Sequence, residues 1–353
     1  MAIQANSVNE MYEKMAARLQ DVVPDVELRI KAEIAYEINQ LKVEKNAVIL
    51  GHNYMEAALF HSIPDFVGDS LALSRMAAQT DKAMIVFCGV EFMAETAKIL
   101  NPSKTVLLPA KHAGCSLAES ITAADVCALK ERFPGVPVVT YVNTYADVKA
   151  ESDICCTSGN AVAVVESLQS DTVIFLPDEY LAANVARETG KRIVYPQVHR
   201  NGKSSITLEE PDAFDFIGWH GRCEVHERFT VADINTVRAQ FPDVVILAHP
   251  ECSPEVVAAS DYSGSTTAMI RYVEQTSAPR YLLLTECAMG DNIAAENPDK
   301  EMLRLCSVRC PHMNQITLED TLDALRYNQY EIEVPEDVRV RAARAVERMI
   351  AIG

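Results

Sequence analysis

Three times along its 353 residues the chain repeats one short pattern. The segments "CSLAESITAAD" from Cys115, "CEVHERFTVAD" from Cys223 and "CPHMNQITLED" from Cys310 all have the form C-x6-T-x-x-D. Thr122, Thr230 and Thr317 take the threonine position; Asp125, Asp233 and Asp320 take the aspartate position. A T-x-x-D ahead of an amphipathic run marks a helix start, because the threonine oxygen and the acid three residues on satisfy each other's backbone amides. One such cap is commonplace. Three cysteines at the same offset from three caps imply an internal repeat, and a repeat of this length governs the architecture.

The intervening segments repeat as well. A strand-like run ends in polar residues in "VILGHNY" (His52, Tyr54), "VVTYVNT" (Tyr141, Asn143) and "VILAHPE" (His249, Glu251). Downstream stands an acid with a hydroxyl five positions later: "DFVGDS" (Ser70), "DICCTS" (Ser158) and "DYSGST" (Thr266). Each hydroxyl opens a helical pattern, and a second strand then runs into a helix, as in "MIVFCGVEFMAETA", "VIFLPDEYLAANVA" and "YLLLTECAMGDNIA". A further strand, "KTVLLPA" or "KRIVYPQ", precedes the first two cysteines. Strands alternating with helices predict parallel sheets covered on both faces. The reading is therefore α/β, with three similar three-layer α/β/α units near 46–115, 136–223 and 243–310. As domains these become 1–115 with its N-terminal helices, joined by the C-terminal helices 311–353, then 116–223, then 224–310. The second unit carries an insertion at 197–217, read as a surface loop.

In parallel α/β sheets, ligands sit beyond the C-terminal ends of the strands. The polar residues ending each first strand, and the hydroxyls that follow, fall at that edge. A pseudo-threefold arrangement of the units would bring the three edges, and the three cysteines, to one centre.

Composition narrows the partners. With 49% hydrophobic and 23% charged residues the chain is ordinary globular material. Its N-terminal stretch is polar and helical in pattern, with no apolar segment to serve as a signal peptide, and its apolar runs are strand-length, far short of a membrane span. These features predict a soluble, cytoplasmic protein with no membrane partner. A formal charge of −18 argues against nucleic acid, whose phosphates need clustered Lys and Arg. Any anionic substrate must then be held by a local site. Ten cysteines in a reducing compartment are not a disulfide framework, and most read as small buried hydrophobes. Cys88, Cys127, Cys155, Cys156 and Cys287 are assigned to the core on that ground.

Three thiolates from three loops can hold zinc, copper(I) or an iron–sulfur cluster. Structural zinc favours paired C-x2–4-C knuckles, and only Cys310 has such a partner, Cys306. A cluster held by three thiolates leaves one iron open as a Lewis acid. The plain alternative is three buried cysteines beside three helix caps. Ser70, Ser158 and Thr266 can aim their hydroxyls at bound anions or can simply cap their own helices. The residues also admit a zinc or iron(II) aldolase built on Cys223, His226 and His249, and a non-enzymatic binding protein for small phosphorylated anions. His226 has Ala118 and Met313 as its counterparts in the other repeats. It therefore stands outside the repeated frame and reads as a substrate contact.

Taken together, "GHNYM", "GDSL", "YVNT", "CTSGNA", "GRCEVHERF", "HPE", "GST" and "CPHMNQITLED" closely resemble the quinolinate synthase family, in order from about Leu41 to the C-terminal helix. The resemblance implies three α/β/α domains about a pseudo-threefold axis, with a central 4Fe–4S cluster. Its three cysteine ligands would be Cys115, Cys223 and Cys310, leaving one iron open. It implies condensation of iminoaspartate with dihydroxyacetone phosphate to quinolinate, phosphate and water, an early step of de novo NAD biosynthesis. Functional coupling to the enzyme supplying iminoaspartate belongs to the same expectation. Carried over motif by motif, His52, Tyr141, Asn143, His226, His249 and Glu251 are substrate-facing, and Ser70, Ser158 and Thr266 are anion-binding. Tyr54, Tyr141, Glu251 and His226 are the candidates for proton transfer. Cys306 and Cys310 could pair as a regulatory disulfide, which would remove a cluster ligand.

Overall fold

The computed structural model describes residues 2–201, 203–208, 214–305 and 308–352. Its strands, in chain order, begin with β1 (Ala47–His52), β2 (Phe66–Gly68), β3 (Met84–Cys88) and β4 (Thr105–Leu107). Next come β5 (Val138–Tyr141), β6 (Ile154–Cys156), β7 (Val173–Leu176), β8 (Ile193–Val194), β9 (Gln197–Asn201), β10 (Lys203–Thr207) and β11 (Phe216–Ile217). The last four are β12 (Val245–Ala248), β13 (Tyr262–Ser263), β14 (Arg280–Leu284) and β15 (Glu301–Leu303). They form three sheets in the orders β2-β1-β3-β4, β6-β5-β7-β11-β8 and β13-β12-β14-β15, plus the hairpin β10-β9. Every ladder within the three sheets is parallel. The strand order is the same each time, second-first-third-fourth, with β11 wedged into the middle sheet. Helices cover both faces, so strands such as β1 and β3 are buried along their whole length, as parallel strands must be.

One side chain sets the register of each unit. The acids whose spacing the sequence repeats, Asp65, Asp153 and Asp261, each accept from an amide within the first three residues of the first strand. Asp65 takes Ile49 N at 2.9 Å, Asp153 takes Val138 N at 2.8 Å and Asp261 takes Ile246 N at 2.8 Å. Each returns its own amide to the carbonyl of that same residue. The clasp pins the second strand to the first, which fixes where the hydroxyl five residues later emerges. The three caps also form as the sequence requires. Thr122 and Thr230 make full capping boxes opening helices Ala123–Arg132 and Val231–Gln240. Thr317 accepts from Asp320 N at 3.0 Å to open Leu318–Tyr327. Each cap stabilises its helix by roughly 1 kcal/mol.

Some expectations change. The insertion at 197–217 is not only a surface loop: β9 and β10 pair as an antiparallel hairpin, and β11 enters the middle sheet between β7 and β8. Phe216 and Ile217 are both 0% exposed; two adjacent apolar residues in a parallel strand gain more by burial on both faces than by facing water. The third unit has a fourth strand, β15, too short and too polar at its start to show in the pattern. Cys127 is exposed rather than in the core, because it lies on the outer face of its helix. Cys88, Cys155, Cys156 and Cys287 are buried. Cys306 lies outside the described residues, and with it the Cys306–Cys310 pairing.

The terminal helices brace the assembly. Leu318–Tyr327 packs on Asp25–Glu44 and β3, whereas Glu336–Ile350 packs on Ala146–Ala150, β6 and Glu91–Leu100. Arg75 and Asn160 both hold carbonyls at the end of that last helix. It therefore ties the first sheet's helices to the second. Among the described residues no helix is long and apolar enough to cross a membrane.

Candidate functional site

The C-terminal edges of β1, β5 and β12 open on one pocket. Its lining includes His52, Tyr54, Tyr141, Asn143, His249 and Glu251 from those edges, and Ser70, Ser158 and Thr266 from the turns that follow. Cys115, Cys223, His226 and Cys310 complete it. Every residue singled out in the sequence as a site candidate lies on this one surface. The loop bearing Cys223 is drawn in by Gly221, whose amide donates to Pro177 O at 3.0 Å. A Cβ there would sit 2.5 Å from that carbonyl oxygen, so the "GRC" motif needs its glycine for close approach.

Two histidines repeat one geometry. His52 Nδ1 accepts from Tyr54 N at 3.2 Å and His249 Nδ1 accepts from Glu251 N at 3.3 Å. With Nδ1 used as an acceptor, the neutral ring carries its proton on Nε2. His249 Nε2 can then donate to Ser158 Oγ, 3.2 Å away. Burial pushes His52 down to about 4 and His249 down to about 3, so both are neutral donors at physiological pH.

Glu251 is the charged centre. Burial alone would raise its carboxyl. The His226 ring at 2.7 Å (Nδ1 to Oε2), and the hydrogen bonds from His226 and Tyr141, overcome that and hold it well below the usual carboxylate range. Its other oxygen accepts from the Tyr141 hydroxyl and, at 3.4 Å, from Asn143 Nδ2. Tyr54 and Tyr141 are raised well above 10, first by burial and then by the Glu251 charge, so both phenols keep their protons. Asn143 Oδ1 is buried and has no partner among the described residues, and the residue lines the pocket.

The three pocket cysteines share a backbone environment. The amides two and three residues on lower each thiol: those of Leu117 and Ala118 for Cys115, of Val225 and His226 for Cys223, and of His312 and Met313 for Cys310, where Met313 N donates to Sγ at 3.5 Å. Burial pushes the thiols up, Cys115 to about 12, Cys310 to about 11 and Cys223 well above 9, against the opposing pull of those amides. Sulfurs with two amide N–H groups beside them in a buried wall suit a centre that brings its own positive charge and binds thiolate. The donor set therefore fits a metal–sulfur centre. A smaller group, Cys223, His226 and Glu251, also offers ligand atoms within 4.8 Å of one another. It resembles the single-metal alternative read from the sequence, with Glu251 where His249 was expected.

The hydroxyls are not the caps of their helices. Asp69 caps Ser70–Gln79 and Ser265 caps Thr266–Gln275, so Ser70 and Thr266 occupy the first helical position with their side chains on the pocket. Ser158 does not open a helix: Asn160 precedes Ala161–Ser167, and Ser158 pairs with His249 instead. Asn53 Nδ2 donates to Thr266 Oγ1 at 2.9 Å, linking the first unit's strand edge to the third unit's helix.

Sequence reasoning missed two buried residues at the ends of third strands. Asp178, just past β7, caps Glu179–Glu188 through Oδ1, while Oδ2 has no partner among the described residues. Burial and the Glu251 charge raise its carboxyl well above the usual range. Thr285, just past β14, lies between Tyr54 and His226. The signal was present, since "VIFLPDEY" and "YLLLTEC" run from apolar to polar just as the first strands do.

Comparison with known proteins agrees with this geometry. The family model described as "Quinolinate synthetase A protein" matches residues 36–351. "Quinolinate synthase 2" of Mesorhizobium japonicum is 52% identical over 335 residues, covering 95% of this chain and 96% of that protein. "Quinolinate synthase" of Sinorhizobium medicae is 50% identical over 346 residues, covering 98% of this chain and 89% of its own length. The Xylella fastidiosa (strain 9a5c) protein of the same name is 52% identical over 325 residues, 92% and 89% of the two chains. The chain belongs to the quinolinate synthetase A family.

Proposed function

We propose that this chain condenses iminoaspartate with dihydroxyacetone phosphate to form quinolinate, releasing phosphate and water, for de novo NAD biosynthesis. The observation that carries the reading is the convergence on one pocket of three amide-cradled sulfurs, an ionised glutamate between two phenols, and neutral histidines. Cys115, Cys223 and Cys310 would hold a 4Fe–4S cluster at the meeting point of three domains related by a pseudo-threefold axis; the shared strand order and shared amide pattern support that arrangement. When bound, such a cluster supplies a Lewis-acidic iron with an open position.

The chain's own groups account for the rest. His52 and His249 offer Nε2–H to substrate carboxylates without adding charge. Ser70, Ser158 and Thr266 offer hydroxyls to phosphate or carboxylate oxygens. Tyr54 and Tyr141, held protonated, donate to developing oxyanions or leaving hydroxide. Glu251 is the candidate base for protons of the substrate, and its Oε1 accepts the Tyr141 O–H and so fixes the direction in which that donor points. His226 orients Glu251 through Nδ1. We place the reaction in the cytoplasm, where thiol ligands stay reduced, and couple it to the enzyme that supplies iminoaspartate, because an imine hydrolyses in water.

The test is product formation by anaerobically prepared protein given iminoaspartate and dihydroxyacetone phosphate. Quinolinate and phosphate should appear in equal amounts. Turnover of a phosphorylated ketose by aldol cleavage, with no quinolinate, would favour the single-metal reading on Cys223, His226 and Glu251 instead.

A further inference from the structure

Two turns of the pocket wall are built alike and held alike. His249–Cys252 and His52–Met55 each follow a first strand, β12 and β1. Each closes when its fourth residue donates to the histidine carbonyl, Cys252 N to His249 O at 2.9 Å and Met55 N to His52 O at 3.0 Å. Glu251 is the third residue of one turn and Tyr54 the third of the other. A neighbouring unit reaches over to each. Asn184, in helix Glu179–Glu188 of the second unit, uses both hydrogens of Nδ2, donating to Pro250 O at 2.9 Å and to Cys252 O at 3.0 Å. Asn292, in helix Ala288–Glu296 of the third unit, donates in the same way to Asn53 O at 3.1 Å and Met55 O at 2.8 Å. Both asparagines stand eight residues past the end of their unit's third strand, Leu176 of β7 and Leu284 of β14. In the first unit that place is taken by Thr96, whose hydroxyl donates to Phe92 O within its own helix. The middle unit's turn is held from within, by Lys149 Nζ on Thr144 O.

Carbonyl oxygens only accept, so each asparagine must present its NH2 end and its orientation is fixed. That leaves Asn184 Oδ1 and Asn292 Oδ1 buried with no partner among the described residues. Burying an amide oxygen unpaired is unfavourable, so packing alone would favour an apolar side chain at both places. What the amide supplies is geometry. One planar group bonded to the carbonyls of the residues on either side of Glu251 fixes the peptide planes there, and with them the direction of its Cα–Cβ bond. That direction matters because the carboxylate meets Tyr141 Oη, Asn143 Nδ2 and His226 Nδ1 at once. We propose that Asn184 is a positioning residue for the reaction: from the second unit it sets the turn of the third unit that aims Glu251 into the pocket. Asn292 repeats the device from the third unit for Tyr54 in the first. The proposal rests on the function proposed above.

The experiment compares holoenzyme variants prepared anaerobically. Asn184→Ala should lower kcat by about 10–100-fold, since a displacement of about 1 Å in a reacting group can cost about 100-fold. KM for both substrates should move less than about 3-fold, with iron and sulfide unchanged. On a Glu251→Gln background the same substitution should add less than about 3-fold, because the group it aims is already gone, whereas on a Tyr54→Phe background the loss should persist in full. Asn292→Ala should show the reverse pattern. A purely structural contact would lower kcat by the same factor on every background. Native kcat in Asn184→Ala, an undiminished loss on the Glu251→Gln background, or loss of the cluster would each overturn the proposal. Should Asn184→Ala fail to fold, Asn184→Leu, which keeps the volume and lacks the donors, takes its place. Should Glu251→Gln turn over too slowly to measure, Glu251→Asp, whose carboxylate is already displaced, serves as the background. Failure of the parent protein to make quinolinate is read first and strikes the proposed function, whereas native rates in the Asn184 variants beside an active parent strike this proposal alone.

Discussion

Cysteines in the pocket wall and cysteines in the sheets are both buried enough to stay protonated, yet they differ in what their sulfur does. Cys155 and Cys156 lie in β6 at 0% exposure, and burial raises both thiols with no amide donor among the causes. Cys252, in the turn after β12, has one amide, that of His249, beside its sulfur and donates its S–H to Leu284 O at 3.4 Å, which only a protonated thiol can do. Cys115, Cys223 and Cys310 instead have two amides each beside the sulfur. The first group is built as thiol and the second is wired for thiolate. The residue type is the same, and the pocket cysteines are half-buried where the others are buried; the backbone turn that follows the cysteine sets what its sulfur can accept.

The sharpest way to break that contrast is substitution. Cys115→Ala, Cys223→Ala and Cys310→Ala should each abolish activity and the visible cluster spectrum, while Cys155→Ala should keep both and lose only about 1 kcal/mol of stability. A cluster-free Cys155→Ala, or a cluster surviving in any of the three pocket variants, would erase the distinction.

A second pair of contrasting groups is the ionised Glu251 and the neutral histidines beside it. Glu251→Gln keeps the shape and removes the charge. It should lower kcat by about 10²–10⁴-fold, as expected for loss of a base, with iron and sulfide unchanged. Loss of the cluster in that variant would mean Glu251 holds the metal site rather than moving a proton. The hydroxyls come next: Ser70→Ala, Ser158→Ala and Thr266→Val should each weaken substrate binding by about 3–10-fold, the worth of one hydrogen bond. Calorimetric binding of quinolinate checks this, and unchanged affinities would return these residues to a purely structural role.

The smallest effect tests the neutral histidines. His52 in the fold titrates near pH about 4, below the ordinary 6.5. Between those values the unfolded chain takes up a proton that the folded protein refuses, so stability falls as pH falls through this window and is unaffected above it. Glu95 and Glu286, pushed up by burial to about 7, act in the opposite sense, but equally in parent and variant. His52→Asn should therefore flatten the pH dependence of unfolding between pH 6.5 and 5, a window read from those same values. The difference should approach 1.4 kcal/mol per pH unit, one proton's worth. Parallel curves for the two proteins would mean His52 titrates normally.

Much of this was legible in the chain because repeats expose what a single copy hides. The caps at Thr122, Thr230 and Thr317, and the polar strand ends at His52, Tyr141 and His249, are local signals that recur at fixed offsets. The clasps of Asp65, Asp153 and Asp261 were visible as spacing, and only the structure gave them a partner. What stayed hidden depended on contacts distant in sequence. β11 reads as loop because two apolar residues are too few to show a period, and it becomes a strand only between β7 and β8. Thr285 is an unremarked threonine until Tyr54, 231 residues earlier, comes within hydrogen-bond reach. Ser158 was expected to open a helix, and its role instead comes from a histidine in another unit.

The central claim is that three sulfurs, each cradled by its own following turn, hold one iron–sulfur cluster. Iron and acid-labile sulfide measured per chain in anaerobically prepared protein tests it most directly. The account predicts about four of each in the parent chain, as a 4Fe–4S centre requires, and neither in the three pocket-cysteine variants. A single metal ion without sulfide, retained when Cys115 or Cys310 is replaced, would contradict it.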